Sequence, residues 1–199
     1  MTIYRIHPDR LNFSLMTIST KEILDKLGRE YPFHIDPSPK SYKDIWSALE
    51  VDFYDSSDRG TASDLPDITV GNGKFFLNTQ AYEKIHSLLD PYGEFLPVKY
   101  GDKAGYIFNC LSLAEDVDGL DKKLSIKNEY EDLQSLVFYE EKITSMAIFR
   151  TEFDGYMGFF CTDKFKDAIE RIDLKGITFS IDLGNIFPPD SSAQSPTEH

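Results

Sequence analysis

The apolar residues of this chain come in short runs separated by turn-forming residues, and no run approaches the length of a membrane span. A membrane-spanning helix needs about 20 consecutive apolar residues. Runs of a few residues bounded by Gly, Pro, Asn or Asp are typical of strands. The pattern therefore favours a protein built largely from short strands. The chain has 199 residues, 41% of them hydrophobic, which is enough for a substantial core.

Turn signals between these runs predict hairpins. Gly, Asn and Asp adopt positive φ at low cost, as the tight turns between antiparallel strands require. Three such turns separate strand-like runs: Gly71-Asn72-Gly73, the GDKAG sequence at 101–105, and Asp154-Gly155.

Three segments have the apolar spacing and end signals of amphipathic helices. The first begins with a capping-box pattern, in which a Ser is followed three residues later by a Glu. Strands and helices are mixed without regular alternation, so we predict an α+β fold with a mainly antiparallel sheet, hairpins and a few packed helices. The predicted caps are Ser19 with Glu22 for the first helix, Asn78 or Thr79 for the second, and Asp163 for the third; Gly28 ends the first helix, and the second ends before Pro91.

Negative charge is concentrated in two segments. The chain has 34 acidic and 21 basic residues and a formal net charge of −13. Residues 44–67 contain seven acidic and one basic residue, and residues 113–132 contain seven acidic and three basic residues, for nets of −6 and −4. Such a chain is repelled by nucleic acid and by anionic membranes, so neither is an expected partner. The segments are either solvated loops or a surface that attracts a basic protein.

We predict that the residues that contact a partner lie in or beside these acidic segments. A tryptophan near the first segment has two interpretations, since tryptophan anchors many interfaces but also packs in cores. The predicted set is Trp46, Asp52, Asp55, Asp58, Asp116, Asp118 and Asp121, with Tyr42 as an alternative anchor.

Catalytic and metal-binding motifs are not recognisable in the sequence. The chain contains no HExxH, CxxC, GxxxxGK[ST] or GxSxG pattern. The run 116–121 resembles a calcium loop, but Leu120 occupies a ligand position and Lys127 stands where a bidentate Glu is needed. We therefore predict no enzyme, cofactor or metal site. The four histidines are far apart in sequence, at His7, His34, His86 and His199.

The adjacent carboxylates Glu140 and Glu141 are expected on a strand. Side chains of neighbouring strand residues point to opposite faces, so this pair is not expected to share one substrate.

The two cysteines, Cys110 and Cys161, lie in apolar runs. Two cysteines in apolar runs favour free thiols in the core of a cytoplasmic protein. The alternative is a disulfide between strands. The N-terminal sequence has charges and a proline where a signal peptide would need an apolar stretch, so we expect a cytoplasmic location.

An ordered series of motifs resembles a known family. The chain is similar, over about residues 65–180, to the immunity proteins encoded beside bacterial polymorphic toxins, including type VI secretion effectors, in a family first described as a domain of unknown function. The motifs are LPDITVGNGKFFLN (65–78), GEFLPV (93–98), YIFNCL (106–111), DVDGLDKKLS (116–125), IFR (148–150), TDKFKDAI (162–169) and LKGITF (174–179).

The resemblance implies a protein that binds and neutralises a cognate toxin in the cytoplasm. It suggests a variable region at 1–64 and a family-like α+β domain at 65–187, and the Pro- and Ser-rich composition of residues 188–199 predicts a disordered tail. The acidity points to a basic toxin, for example a nuclease. Two alternatives remain, an enzyme that reverses the toxin's modification and a general adaptor or ligand-binding module.

Overall fold

The computed structural model describes residues 1–55 and 64–187. This part of the chain contains thirteen strands and four α-helices. The predicted α+β class is confirmed. The strands are β1 (Ile3–Pro8), β2 (Leu15–Thr17), β3 (Leu49–Glu50), β4 (Asp52–Tyr54), β5 (Ile68–Gly71), β6 (Lys74–Asn78), β7 (Gly93–Tyr100), β8 (Lys103–Cys110), β9 (Ile126–Lys127), β10 (Leu133–Ser135), β11 (Ile148–Phe149), β12 (Phe159–Thr162) and β13 (Ile177–Ser180). The helices are α1 (Thr20–Leu27), α2 (Thr79–Leu89), α3 (Glu140–Ile143) and α4 (Asp163–Ile172), with 3₁₀ turns at Asp90–Tyr92 and Ala114–Val117.

Two larger sheets organise these elements. One has the order β11-β12-β1-β13 and is antiparallel throughout. The other has the order β3-β7-β8-β6-β5, in which the β3–β7 pair is parallel and the other pairs are antiparallel. Two small antiparallel pairs, β2-β4 and β9-β10, complete the set. The sheets are therefore mainly antiparallel, as the sequence predicts.

Both faces of each larger sheet are buried, and two Phe-Phe pairs show how. Phe75 and Phe76 are neighbours on β6, and their side chains point to opposite faces of the five-stranded sheet. Phe75 packs in a central apolar cluster and Phe76 in a second cluster on the other side. Phe159 of β12 joins the central cluster, whereas Phe160 joins a third one. Consecutive apolar residues thus identify strands buried on both sides.

The central cluster lies between the two larger sheets and includes side chains from α2 and α4. At its centre, the ring of Phe75 meets Phe159 at a centroid distance of 5.4 Å, and Phe108 and Phe165 at 6.1 Å each. These four rings come from β6, β12, β8 and α4, so one aromatic group joins both sheets to a helix.

The second and third clusters cover the outer faces of the sheets. The second packs α1 and the N-terminal loops against the five-stranded sheet, and the third packs residues 114–146 against the four-stranded sheet. The two cysteines are free and buried in the central layer, as expected for core thiols.

Two of the predicted turns connect adjacent strands directly. Asn72 and Gly73 have φ values of 50° and 69°, as a two-residue turn between β5 and β6 requires. Gly101 and Asp102 connect β7 and β8. Asp154-Gly155 does lie between an antiparallel pair, β11 and β12, but the connection is the longer segment 150–158 and not a two-residue turn.

The helix starts follow capping chemistry. The hydroxyl of Ser19 accepts a hydrogen bond from the Glu22 N–H, and the Asn78 side chain accepts one from the Ala81 N–H, as expected. The third helix differs, since Thr162 is the capping residue and Asp163 is the first helical residue. The Asp163 carboxylate accepts hydrogen bonds from the N–H of Thr2 and the hydroxyl of Tyr4. A tertiary contact therefore takes the side chain that the sequence assigned to the cap.

The strand expected at Glu140 and Glu141 is wrong. Both residues lie in the first turn of α3, a helix of four residues. Acidic side chains are favoured at that position because they interact with the unpaired N–H groups of a helix start. The segment is too short for hydrophobic periodicity to distinguish it from a strand.

The segment 1–64 contributes strands to the same sheets as the rest of the chain. β1 pairs with β12 on one side and with β13 on the other. The predicted variability of this segment and its boundary at residue 64 remain predictions, and the predicted tail 188–199 lies outside the described residues. Within the described part of the chain, no helix combines the length and apolar character that crossing a bilayer requires.

The aromatic group around Phe75 predicts a large loss of stability for Phe75→Ala. The side chain has no exposed surface, so its removal leaves a cavity between the sheets. We expect the free energy of unfolding to fall by about 3–5 kcal/mol, measured by urea denaturation. Ile35→Ala, at a side chain that is 73% exposed, is the control and should change stability by less than about 0.5 kcal/mol. A loss below about 1 kcal/mol for Phe75→Ala would contradict the central role of this ring.

Candidate partner-binding cleft

A cleft of about 670 Å³ opens beside β1. Its walls come from parts of the chain that are far apart in sequence. These are β1 with Arg10 shortly after it, β2, Tyr54 of β4, the β5–β6 turn, the β9–β10 hairpin, the connection 150–158 and the last described residues, Ile186 and Phe187. This volume is within the range of about 300–1,000 Å³ that is typical of pockets for small molecules.

A buried ion pair forms part of the floor. Nη2 of Arg5 lies 3.5 Å from Oδ2 of Asp154, and both side chains are almost fully buried. Arg5 also donates from Nη1 to the carbonyl of Leu183 at 2.9 Å, and its guanidinium lies 5.2 Å from the ring centroid of Phe160. Burial lowers the pKa of Arg5 and raises that of Asp154, while each charge opposes the shift of the other. Because the two charges have opposite sign, the buried pair adds little net charge to the floor of the cleft.

The connection 150–158 holds Asp154 in place. The N–H of Gly158 donates to Oδ2 of Asp154 at 2.9 Å. A Cβ atom at Gly158 would lie 2.4 Å from that oxygen and 2.9 Å from the ring of Phe160, so only glycine fits there. Nη2 of Arg150, which is buried, donates to the carbonyls of Pro37 and Tyr156 and so fixes both the connection and the proline-rich loop.

His7 lies on the same face of β1 as Arg5, because alternate strand residues share a face. It is buried, and its Nε2 atom has no hydrogen-bond partner among the described residues. Burial, with contributions from Arg5 and Arg10, lowers the pKa of His7 to about 4. The imidazole is therefore neutral at physiological pH.

The mouth of the cleft is apolar and open to solvent. Tyr54 and Met157 are 48% and 47% exposed, and Ile186 and Phe187 are 56% and 65% exposed. Large exposed apolar side chains that are grouped around a concave surface are typical of sites where another molecule binds.

Trp46, the predicted anchor, is partly buried in the second apolar cluster. Its Nε1 donates to the carbonyl of Pro97 at 2.8 Å, and its ring packs edge-on against Phe33 at 5.2 Å. Tyr42, the alternative anchor, is fully buried in the same cluster. These contacts favour the core-packing interpretation of Trp46, which the sequence left open.

The predicted acidic residues of the first segment lie beside the cleft. Asp52 and Asp55 are exposed, and Tyr54 between them lines the mouth. Asp58 lies outside the described residues. The first acidic segment therefore reaches the cleft through β4.

The acidic residues of the second segment lie on a different element, the 3₁₀ turn at Ala114–Val117 and the loop after it. Asp116 is exposed and accepts a hydrogen bond from the Leu113 N–H, and Asp118 is exposed in a left-handed conformation with φ of 52°. Asp121 is 7% exposed and accepts from the N–H groups of Lys123 and Leu124. Burial raises the pKa of Asp121, but these hydrogen bonds outweigh it and the net shift is downward. The Asp121 carboxylate therefore stabilises the backbone of the loop that follows it.

Sequence reasoning did not select Arg5, His7 or Asp154. The available signal was weak: two polar residues alternate with apolar ones in a short strand, which is also the pattern of a strand with one solvated face. Only the packing of residues 150–158 and 183–187 over β1 shows that this polar face is covered.

The described residues contain no group of three or more His, Cys, Asp and Glu side chains placed to hold a metal ion. What the cleft offers is an apolar mouth, a neutral imidazole and an internally paired charge. These features suit the binding of another molecule.

The family comparison matches most of the chain. The profile of the Immunity protein family (Imm11) matches residues 19–181, so the chain belongs to this family. The match confirms the resemblance found in the sequence motifs and extends it to α1 and the first acidic segment. The comparison with curated proteins gives no match.

The burial of His7 predicts a pH-dependent loss of stability. Its pKa is lower in the folded protein than in the unfolded chain, so its neutral form favours folding above pH 6.5. That contribution is lost as the pH falls from about 6.5 towards 4. We expect the free energy of unfolding to fall more steeply over this range in the native protein than in His7→Gln, measured by urea denaturation at each pH. A ring titration near pH 6.5, followed by NMR, would contradict the assignment.

Proposed function

We propose that this protein is an immunity protein that binds a cognate bacterial toxin in the cytoplasm and neutralises it in a tight one-to-one complex. The family match over residues 19–181 carries the proposal. The toxin is a polymorphic toxin, delivered by type VI secretion or a related route. Inhibition follows from binding, because the complex covers or distorts the toxin's active site.

The charge of the protein supports a basic toxin, such as a nuclease. The net charge of −13 creates a field that attracts a positively charged protein and speeds its association. Asp52, Asp55, Asp116 and Asp118 are exposed, and their charges contribute to that field.

Protection of a cell requires high affinity. A dissociation constant of about 1 nM corresponds to about −12 kcal/mol. Complexes of this strength usually bury about 1,600 Å² and contain a few apolar anchors near the centre of the interface. The exposed apolar side chains at the mouth of the cleft support the proposal, because they are of the type that contacts such anchors.

Co-expression with a catalytically inactive form of the toxin encoded by the neighbouring gene tests the proposal. We expect a one-to-one complex that survives size-exclusion chromatography, with its mass measured by light scattering. Cells that produce active toxin should survive only with the immunity protein. Protection without a stable complex would instead support an enzyme that reverses the toxin's modification, and the absence of both would contradict the proposal.

The exposed acidic residues predict a salt-dependent association rate. Asp52→Asn combined with Asp118→Asn removes two negative charges and keeps the side-chain shapes. We expect association at low salt to slow by about two- to fivefold, and the difference to disappear at 1 M salt, where the screening length is about 3 Å. Surface plasmon resonance measures the association rate constant at low salt and at 1 M salt.

A matched control variant distinguishes the effect of where the charges lie from the effect of the net charge. Glu83→Gln with Asp167→Asn removes the same charge from exposed positions on α2 and α4. This variant should associate at nearly the native rate. Equal slowing of the two variants would show that net charge alone acts and that the positions of Asp52 and Asp118 do not matter.

A further inference from the structure

We propose that the cleft beside β1 receives a large apolar side chain from a loop of the toxin, and that basic residues flank this side chain. The inference rests on the proposed function and names the surface and the chemistry that it uses. The mouth is the group Tyr54, Met157, Ile186 and Phe187.

The floor of the cleft suits an apolar group because its buried charges, Arg5 and Asp154, are paired at 3.5 Å. His7 lies on the same face of β1 and is also buried. The other charged residues of the lining are nearer the solvent: Lys127 pairs with the exposed Glu131 at 3.2 Å, and Arg10 is exposed. A charged side chain that entered would lose its hydration without gaining an unpaired opposite charge on the floor, which is unfavourable. An apolar side chain loses little by comparison and gains contact with Val70 and Phe159 in the walls.

The surroundings of the mouth suit basic residues. Asp55 follows Tyr54 directly and is exposed. Asp132 lines the cleft, and Asp182 lines a second depression that shares Ile186 and Phe187 with it. Exposed acidic side chains from three separate segments therefore lie near the apolar mouth, and Arg10 is an exposed basic residue of the same lining. An apolar anchor inside a rim of complementary charge is the usual arrangement of a tight interface.

The mouth residues allow a test that does not threaten the fold, because all four are exposed. We expect Ile186→Ala and Phe187→Ala each to weaken binding of the inactive toxin by about tenfold or more, measured by calorimetry. Met157→Trp, which fills the mouth, should weaken binding as well. The control Ile35→Ala truncates an exposed apolar side chain outside the cleft and outside both acidic segments, and it should leave the dissociation constant within about twofold.

The outcomes distinguish this inference from the proposed function. If the native protein binds the toxin and the three mouth variants bind equally well, the cleft is not the contact surface and the inference is overturned. If the native protein forms no complex, the proposed function fails, and the inference fails with it. A free protein that is dimeric, and that Phe187→Ala makes monomeric, would assign the cleft to a second copy of the chain and would also overturn the inference.

The charge of the flanking residues has its own test. Asp132→Lys reverses a charge at the rim, whereas Glu170→Lys makes the same change on the exposed side of α4. We expect Asp132→Lys to slow association at low salt by about tenfold relative to Glu170→Lys. Equal rates for the two variants would overturn the assignment of basic residues to the partner's loop.

Discussion

The layer of apolar side chains between the two larger sheets is the interaction on which the other parts of this structure depend. Phe75, Phe108, Phe159 and Phe165 meet there, and each comes from a different element. Because each sheet also buries its outer face, the protein is a stack of three apolar layers separated by two sheets. Loss of the central layer would separate the sheets and, with them, the strands that surround the cleft.

The elements whose signals are local could be predicted from the sequence, and those that depend on packing could not. The Asn72-Gly73 turn and the caps at Ser19 and Asn78 depend on residues within a few positions of each other, and all three are confirmed. The sequence predicts that Asp163 caps the third predicted helix. Its carboxylate instead accepts hydrogen bonds from Thr2 and Tyr4, about 160 positions away. A local pattern has no information about such a partner.

The same distinction applies to the candidate site. The concentration of acidic residues can be predicted because charge is visible in the sequence, whereas the two interpretations of Trp46 can be distinguished only by its packing. Arg5, His7 and Asp154 were missed because a covered polar face and a solvated one have the same alternating pattern. The floor of the cleft exists only once residues 150–158 and 183–187 pack over β1.

The position of β1 has a consequence for the synthesis of the protein. This strand begins at the third residue, yet its two neighbours in the sheet are β12 and β13, which end at residues 162 and 180. β1 therefore cannot pair with either neighbour until the chain has been synthesised at least as far as residue 159. Contacts of such long sequence separation slow folding and leave strand edges exposed in the meantime. A chain cut short before residue 159 would lack both neighbours of β1, so it would lack the floor of the cleft as well as the sheet. The four-stranded sheet, and the floor of the cleft with it, is complete only once the chain has been synthesised through residue 180.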